Sequence, residues 1–173
     1  MASRTGLLDG LLQLFRGNSR SRPAAASAGD APGRSSASRT LEVVPPAAGG
    51  LRITYAPRID GDPDAGEIVW TWVPYEENDG RGKDRPVLVI ARAEGERVYA
   101  VRLTSKSHDG DRDYLPIGSG GWDSKGRPSW IDIEQVYSVH PAGMRREASA
   151  LDLETFVKVA SALHQRYGWQ VGA

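Results

Sequence analysis

The fold is decided by the stretch from Gly66 to Lys106, which reads GEIVWTWVP at residues 66–74, GKDRPVLVI at 82–90 and LTSK at 103–106. In the first run, every second side chain faces the same way if the chain is a strand, which gives two distinct faces. The second run is continuously apolar, as strands buried on both faces are. Proline restricts its own φ and biases the residue before it toward an extended conformation, so Arg85-Pro86 fixes the backbone there. The stretch predicts three successive strands, with an arginine held where a polar loop enters a buried strand.

The rest of this region predicts more short strands and one final helix. Further strands are expected at 97–104, 114–117, 130–133 and 136–140. Asp152 is a natural helix N-cap and Gly168 ends the helical pattern. Between them an apolar stripe recurs at helical spacing: Leu153, Phe156, Val157, Ala160, Leu163 and Tyr167. Because short bent strands must curl to cover a core, we predict a mainly β protein, a small barrel of five to seven strands with a C-terminal amphipathic helix.

Composition excludes several classes of function. The chain has 173 residues and no cysteine, which rules out disulfides, thiolate nucleophiles and cysteine metal sites. Its three histidines are scattered, so we expect no metal and no cofactor. A net charge of zero argues against a broadly basic nucleic-acid binder but leaves room for a small site with a few cations. No apolar run approaches the roughly 18–20 residues that span a bilayer, so we predict a cytoplasmic protein without stable membrane insertion.

Residues 1–65 are predicted to be a disordered, low-complexity leader. Between residues 17 and 50 the sequence is mostly Ser, Ala, Arg, Gly and Pro, which cannot bury enough apolar surface to offset the entropy of ordering. Residues 5–16 place leucines on one helical face and predict a short amphipathic helix. Two apolar islands follow at 41–44 and 51–55, and the second either adds an edge strand or drapes over the domain. The folded domain is therefore predicted at residues 66–173.

An ordered set of motifs gives the chain a family resemblance. The set comprises GEIVW at 66–70, RPVLVI at 85–90, LTSK at 103–106 and DIEQV at 132–136, followed by the terminal helix. Together they resemble the PemK/MazF family, the toxins of type II toxin–antitoxin systems, and the leader suggests an actinobacterial PemK-like variant with an N-terminal extension. The resemblance implies a Src-homology-3-like barrel, a homodimer and a cognate antitoxin. It also implies a metal-independent endoribonuclease that cuts single-stranded RNA at short sequences.

The resemblance also implies catalytic residues. The arginine of the Arg-Pro motif is Arg85, and the hydroxyl residue that ends the third strand is Thr104, with Ser105 beside it. One departure from the family is visible in the loop before Arg85. Family members have a Gly-x-Glu pattern there, whereas this chain reads NDGRG at 78–82, so the acidic position is Gly80 or is displaced to Glu76 or Glu77.

The chemistry of RNA cleavage assigns roles to these residue types. RNA cleaves itself when its 2′-hydroxyl attacks the adjacent phosphorus, so an enzyme mainly positions the chain and stabilises charge on phosphate oxygens. Arg85 suits that role because a guanidinium stays protonated and meets two oxygens at once, and for the same reason it is a poor base. Thr104 and Ser105 would donate hydrogen bonds to the same phosphate. The general base stays open between His108, Glu77 and Asp109.

Other residues are candidates for holding the RNA strand. Lys83 and Lys106 are predicted to line a groove that follows the phosphate backbone, with Glu77 and His108 in the neighbouring loops. Trp122, which lies among glycines, is predicted to stack on an unpaired base, as aromatic residues do in proteins that bind single strands.

Structural explanations remain open for the same residues. Arg85 could simply pair with Asp84 or Glu77 at the barrel rim, and Thr104-Ser105 could be an ordinary strand end. Because a fold does not determine a function, the alternative to the ribonuclease is a non-catalytic barrel module that binds RNA, DNA or a protein partner.

Overall fold

The computed structural model describes residues 37–58, 60–77 and 79–172. Within them, six strands of one sheet follow the antiparallel order β1-β7-β5-β4-β3-β8, β6 pairs with β7, and β2 pairs with β9 in parallel. The elements are β1 (Leu41–Val43), β2 (Arg52–Ile53), β3 (Glu67–Pro74), β4 (Gly82–Arg92), β5 (Val98–Thr104), β6 (Tyr114–Gly118), β7 (Ser129–Val139), a 3₁₀ turn (Pro141–Gly143), β8 (Met144–Ala150), α1 (Leu153–Tyr167) and β9 (Gln170–Val171).

The sheet curls until its first strand reaches β3. β1 pairs with residues 136–138 of β7. Just before β1, the buried side chain of Thr40 forms a hydrogen bond of 2.8 Å between its Oγ1 and the Oγ1 of Thr71 in β3. The strands β1, β7, β5, β4 and β3 therefore enclose a barrel. This confirms the predicted mainly β fold, a small barrel with a C-terminal helix.

Alternation along the strands creates two apolar layers. The barrel interior is filled mainly by small branched side chains: Val69, Val73, Val87, Val89, Val98, Ala100, Tyr137 and Val139. The opposite face packs against α1 and forms the larger layer, the helix-side core, which includes Ile68, Leu88, Ile90, Val101, Leu103, Ile131, Phe156, Leu163 and Trp169. The two faces predicted for β3 are confirmed, because Ile68 faces one layer and Val69 and Val73 face the other.

The helix α1 begins and ends where the sequence predicts. The Asp152 carboxylate accepts a hydrogen bond from the backbone N–H of Thr155 at 2.9 Å, and Gly168 adopts a left-handed conformation with φ of 71°. The predicted apolar stripe is only partly correct, because Leu153 and Val157 lie on the exposed side. The buried residues are Phe156, Val159, Ala160 and Leu163. Within the described ranges, no helix is both long and apolar enough to cross a membrane.

Two strand predictions near the C-terminal end are wrong. Residues 129–139 form the single strand β7, not two short strands, and β8 was not predicted. The polar middle of β7 suggested a break. In the structure this part of β7 bulges but the strand continues after it, and within the bulge Asp132 accepts the backbone N–H groups of Glu134 at 2.9 Å and Gln135 at 3.3 Å. The pairing with β5 shifts register at this point.

The described part of the predicted leader is folded onto the domain. β1 and β2 lie within residues 37–65, and Leu51 and Ile53 are 6% and 0% exposed in the helix-side core. Trp169 Nε1 donates a hydrogen bond of 2.8 Å to the backbone oxygen of Pro46. Each short apolar island pairs with the edge of another strand, β1 with β7 and β2 with β9. This pairing lets a segment with few apolar residues pack onto the domain. The helix predicted at residues 5–16 lies outside the described residues.

Candidate active site at the barrel mouth

Polar side chains collect at one end of the barrel, where β3 and β5 end and β4 and β7 begin. We call this end the barrel mouth. Val87 of β4 faces the interior and pairs with Arg102 of β5. Arg85 lies two residues before Val87, and Thr104 lies two residues after Arg102. Because strand side chains alternate, Arg85, Arg102 and Thr104 share one face at the same end of neighbouring strands.

Arg85 is half-buried and has no carboxylate partner among the described residues. Asp84 points the other way and pairs with Arg145, with 2.9 Å between Oδ2 and Nη2. The structural explanation that Arg85 pairs with Asp84 or Glu77 is therefore not what the structure shows. Burial, followed by the charge of Arg102, lowers the pKa of Arg85. An arginine remains protonated even so, and this one presents a positive charge that no carboxylate of the described residues neutralises.

Arg102 differs from Arg85 because it is held by a carboxylate. Its Nη2 lies 2.5 Å from Oδ2 of Asp132, and the two side chains are 13% and 2% exposed. Burial disfavours the charged form of Arg102, whereas the Asp132 carboxylate favours it. The net effect raises the pKa of Arg102. Sequence reasoning missed this pair. The available signal was a charged residue in each of two otherwise apolar segments, VYAVRL at 98–103 and WIDI at 130–133.

An aromatic pair packs beside the two arginines. The Tyr114 hydroxyl lies 3.5 Å from Arg102 Nη2 and 3.4 Å from Asp132 Oδ2. Burial and the Asp132 charge raise the pKa of Tyr114. The His108 ring stacks on Tyr114, with 3.5 Å between the ring centroids and 10° between the planes. His108 Nδ1 also lies 3.6 Å from Asp111 Oδ2. The predicted loop histidine is thus held at the edge of the arginine cluster.

The two predicted hydroxyl residues occupy different positions. Thr104 is half-buried and ends β5, and its Oγ1 accepts the backbone N–H of Lys106 at 3.2 Å. Its own hydroxyl proton stays available for a ligand at the mouth. Ser105 lies beyond the strand end and is exposed. By position, Thr104 is the hydroxyl that accompanies Arg85.

The described side chains with a buried, unpaired polar atom both lie at the barrel mouth. They are Arg102 at Nε and Trp130 at Nε1, and Trp130 pairs with Thr104 across the sheet. A buried donor without a partner costs stability, and such groups in native proteins need an explanation. Two unsatisfied donors at one end of a barrel are the arrangement expected where a ligand supplies the acceptors.

The charged residues predicted to bind substrate lie at the rim of the mouth. Lys83 is exposed two residues before Arg85 and on the same face of β4. Lys106 is exposed just after β5, and Glu77 is exposed in the loop between β3 and β4. Among the residues the structure describes, no three His, Asp or Glu side chains are grouped as they would be to hold a metal ion.

Trp122 is not at the site, which corrects the prediction that it stacks on a base. Its side chain is 5% exposed within the helix-side core, and its Nε1 donates to Ser129 Oγ at 3.1 Å. The glycines around Trp122 suggested an exposed ring, whereas in the structure they allow it to be buried. A Cβ on Gly120 would lie 2.0 Å from the Trp122 ring, so the glycine leaves the space that lets the ring pack.

Glu42 is a further mouth residue that the sequence did not indicate, because its segment was assigned to the leader. It lies on β1 directly opposite Tyr137. The Tyr137 hydroxyl donates to Gln135 Oε1 at 2.7 Å, and burial raises the pKa of Tyr137 well above its usual range. The charges of Arg102, Glu42, Asp132 and Arg85 all act on this tyrosine, so Glu42 shares its electrostatic surroundings with the arginine cluster.

Several solved structures are similar in fold. MazF from Deinococcus radiodurans has 20% identity and a TM-score of 0.48, and the match covers 62% of this chain and 97% of that one. An endoribonuclease from a mycobacterial species, in complex with its cognate antitoxin, has 16% identity and a TM-score of 0.46, covering 60% and 93%. The Mycobacterium tuberculosis toxin MazF-mt6 has 15% identity and a TM-score of 0.42, covering 59% and 98%. A comparison with curated protein sequences found no match.

The family assignment rests on a sequence model rather than on these distant structures. The model of the PemK-like, MazF-like toxins of type II toxin–antitoxin systems matches residues 64–166, more than half of the chain. The matched region contains Arg85, Arg102, Thr104 and Asp132 and excludes β1 and β2. The chain therefore belongs to the family of PemK-like, MazF-like toxins of type II toxin–antitoxin systems.

Proposed function

We propose that the chain is an endoribonuclease toxin that cuts single-stranded RNA at the barrel mouth. The observation that carries the proposal is the state of Arg85, a half-buried guanidinium that no described carboxylate pairs with, beside Thr104 and a second arginine. A solvated rim arginine would be exposed, and a structural one would be paired, as Arg102 is. An unpaired, partly desolvated cation is suited to an anion that arrives with the substrate.

Stabilising the charge on the phosphate needs no group beyond these side chains, and a general base must also take the proton of the 2′-hydroxyl. The 2′-oxygen attacks the adjacent phosphorus, the bond to the 5′-oxygen breaks, and negative charge builds on the two non-bridging oxygens. Arg85 would meet those oxygens with two N–H groups, and the Thr104 hydroxyl would donate a third hydrogen bond. Arg102 is held in place by Asp132 and Tyr114 and would add a fixed positive charge near the phosphate. This mechanism is the reason we propose cleavage without a metal ion.

We also propose the partners that membership of this family suggests. A toxin of this class requires a cognate antitoxin protein, and an RNA substrate implies action in the cytoplasm. The barrel is too small to surround an RNA strand, so a homodimer whose seam extends the groove is the proposed active form. Light scattering at micromolar concentration should give twice the chain mass, and a strict monomer there would contradict the shared groove.

The proposal is tested by incubating the purified protein with a mixed pool of RNAs in the presence of EDTA. We expect discrete cleavage in single-stranded regions, and mapping of the new ends should define a short recognition sequence. An RNA with a 2′-deoxy sugar at the mapped position should resist cleavage. If the wild-type protein leaves all RNAs intact while it still binds them, the barrel is a binding module and the proposed activity is wrong.

A further inference from the structure

The strand β1 brings a residue from outside the family match into the barrel mouth. The match begins at residue 64, whereas β1 spans Leu41–Val43. Two contacts fix this strand. Its register on β7 places Glu42 opposite Tyr137, and the preceding Thr40 bonds to Thr71, whose cross-strand neighbour on β4 is Arg85. β1 therefore closes the barrel next to the arginine.

The alternation of β1 turns Glu42 toward the mouth. Thr40 and Glu42 are two residues apart, so their side chains lie on the same side of the strand. Thr40 is fully buried against Thr71, whereas Glu42 is exposed. The side chain therefore leaves the interior at the open end, on the face that Arg102 and Tyr137 share. Among the described residues, no hydrogen bond or ion pair is formed by the Glu42 side chain.

The surroundings of Glu42 keep its carboxylate available to take a proton. Glu42 is exposed, but its carboxylate is partly desolvated at the mouth, and this desolvation has the largest effect and raises the pKa of Glu42. The carboxylates of Glu76, Asp132 and Glu134 raise it further, while Arg102 opposes them. Glu76 belongs to the loop between β3 and β4, so charges on that loop, on β5 and on β7 all act on the Glu42 carboxylate. The buried hydroxyl of Tyr137 completes the set.

The other candidate bases have less suitable positions. Asp132 is held by Arg102 and by two backbone N–H groups, so its oxygens are occupied. Asp109 accepts the Ser107 hydroxyl at 2.7 Å in an exposed loop. Glu77 is exposed beyond the rim. His108 has one face covered by Tyr114 and one ring nitrogen next to Asp111.

We infer that Glu42 is the general base of RNA cleavage, supplied to the site by a strand outside the matched family region. This inference rests on the proposed function. In the step, the Glu42 carboxylate takes the proton of the 2′-hydroxyl as the bond from the 2′-oxygen to phosphorus forms. The bond from phosphorus to the 5′-oxygen breaks, and that oxygen takes a proton from water. The hydroxide left behind takes the proton from Glu42, which restores the carboxylate. Arg85 and Thr104 hold the phosphate while Glu42 acts on the sugar.

The test is single-turnover cleavage of one short RNA across a range of pH. Glu42→Gln should slow cleavage by about 10²-fold or more, the scale of a lost general base. The wild-type rate should rise with pH up to a plateau, with a midpoint above the ordinary range of a glutamate, and this rise should be absent from the residual activity of Glu42→Gln. Glu42→Asp should restore part of the rate. Glu94→Gln, an exposed carboxylate in the distant turn between β4 and β5, is the matched control.

Two more measurements distinguish the possible failures. A 2′-deoxy RNA of the same sequence should bind Glu42→Gln as tightly as wild type, because a base acts on the transition state; weakened binding would overturn the role of base. His108→Asn should keep the pH-dependent rise, and its loss in that variant would assign the base to His108 instead. If wild type cleaves and Glu42→Gln matches it, only this inference fails. If wild type cleaves no RNA, the proposed function fails together with it.

Discussion

The helix-side core and the barrel mouth are built from the same strands but follow opposite rules. β4 supplies Leu88 and Ile90 to the core and Arg85 to the mouth. In the core, even the polar atoms are satisfied: Trp122 Nε1 and Trp169 Nε1 both donate hydrogen bonds. Among the described residues, the mouth contains a cation without a carboxylate partner, Arg85, and two buried donors without an acceptor. The comparison indicates that the helix-side core stabilises the fold, whereas the barrel mouth keeps polar groups unpaired, at a cost in stability, so that they can bind a ligand.

This comparison predicts that substitutions in the two regions will separate stability from activity. Changes in the helix-side core should lower the free energy of unfolding and leave the chemistry of folded molecules unchanged. Changes at the mouth should lower the cleavage rate and leave the free energy of unfolding nearly unchanged, because the groups there are partly exposed and lack hydrogen-bond partners. A substitution that moved both quantities together would show that the two regions are not independent.

The largest effect is expected from removing the strands that precede the family match. A chain that starts at residue 63 loses Leu51, Ile53 and the acceptor of the Trp169 hydrogen bond, whereas a chain that starts at residue 37 keeps them. Burying each aliphatic side chain contributes about 1.5–3 kcal/mol, a large part of the roughly 5–15 kcal/mol that holds a domain folded. We expect residues 37–173 to unfold cooperatively and residues 63–173 to have lost most of the transition in thermal denaturation. Equal melting temperatures would show that the domain starts at residue 63 or later.

A smaller effect on stability is expected from Leu163→Ala. Leu163 is fully buried on α1, and a large-to-small change there leaves a cavity that costs about 2–5 kcal/mol. Urea denaturation should report this loss. RNA cleavage per folded molecule should stay within about twofold of wild type, since Leu163 packs in the helix-side core, on the face of the sheet opposite the one that carries Arg85 and Thr104. The exposed neighbour Val157→Ala is the matched control and should change neither quantity. A loss of cleavage in folded Leu163→Ala protein would contradict the separation of the two regions.

The smallest effect is expected for the hydroxyl residues at the end of β5. Thr104→Val keeps the shape of the side chain and removes a donor that faces Arg85, so cleavage should fall by about tenfold, the cost of one modest hydrogen bond. Ser105→Ala should have little effect, because Ser105 is exposed beyond the strand end. Single-turnover cleavage rates of the two variants on one RNA show which of the two hydroxyl groups donates to the phosphate. The opposite order would assign the donor to Ser105.

Much of the fold could be predicted because its signals are local. Alternation in β3, the continuous apolar run of β4, and the Asp152 and Gly168 caps each specify a short segment without reference to the rest of the chain. β1 was missed, and a strand at residues 51–55, where β2 lies, was only one of two alternatives. Each strand is only two or three residues long and depends on an edge provided by distant strands. Their stability is tertiary, and composition alone assigned the segment to a leader.

The candidate site was predicted less completely, for a related reason. Arg85 and Thr104 lie in motifs, whereas the pairing of Arg102 with Asp132 depends on the register of β5 on β7, which a bulge shifts. The position of Glu42 at the mouth depends on β1, a strand that was not predicted. Trp122 was misassigned because flanking glycines indicate either an exposed loop or a tight packing site, and only the position of Gly120 against the ring distinguishes the two.

The central claim, that an unpaired Arg85 at the barrel mouth cleaves RNA, is tested most directly by single-turnover cleavage with Arg85→Ala. Losing one preorganised donor should lower the rate by about 10²–10³-fold, and Arg85→Lys should recover only part of it, because an ammonium cannot meet two oxygens at once. Lys83→Ala, two residues earlier on the same face, is the matched control and should act mainly on RNA binding. Circular dichroism should show that all three variants are folded. A folded Arg85→Ala protein that cleaves at the wild-type rate would contradict the claim.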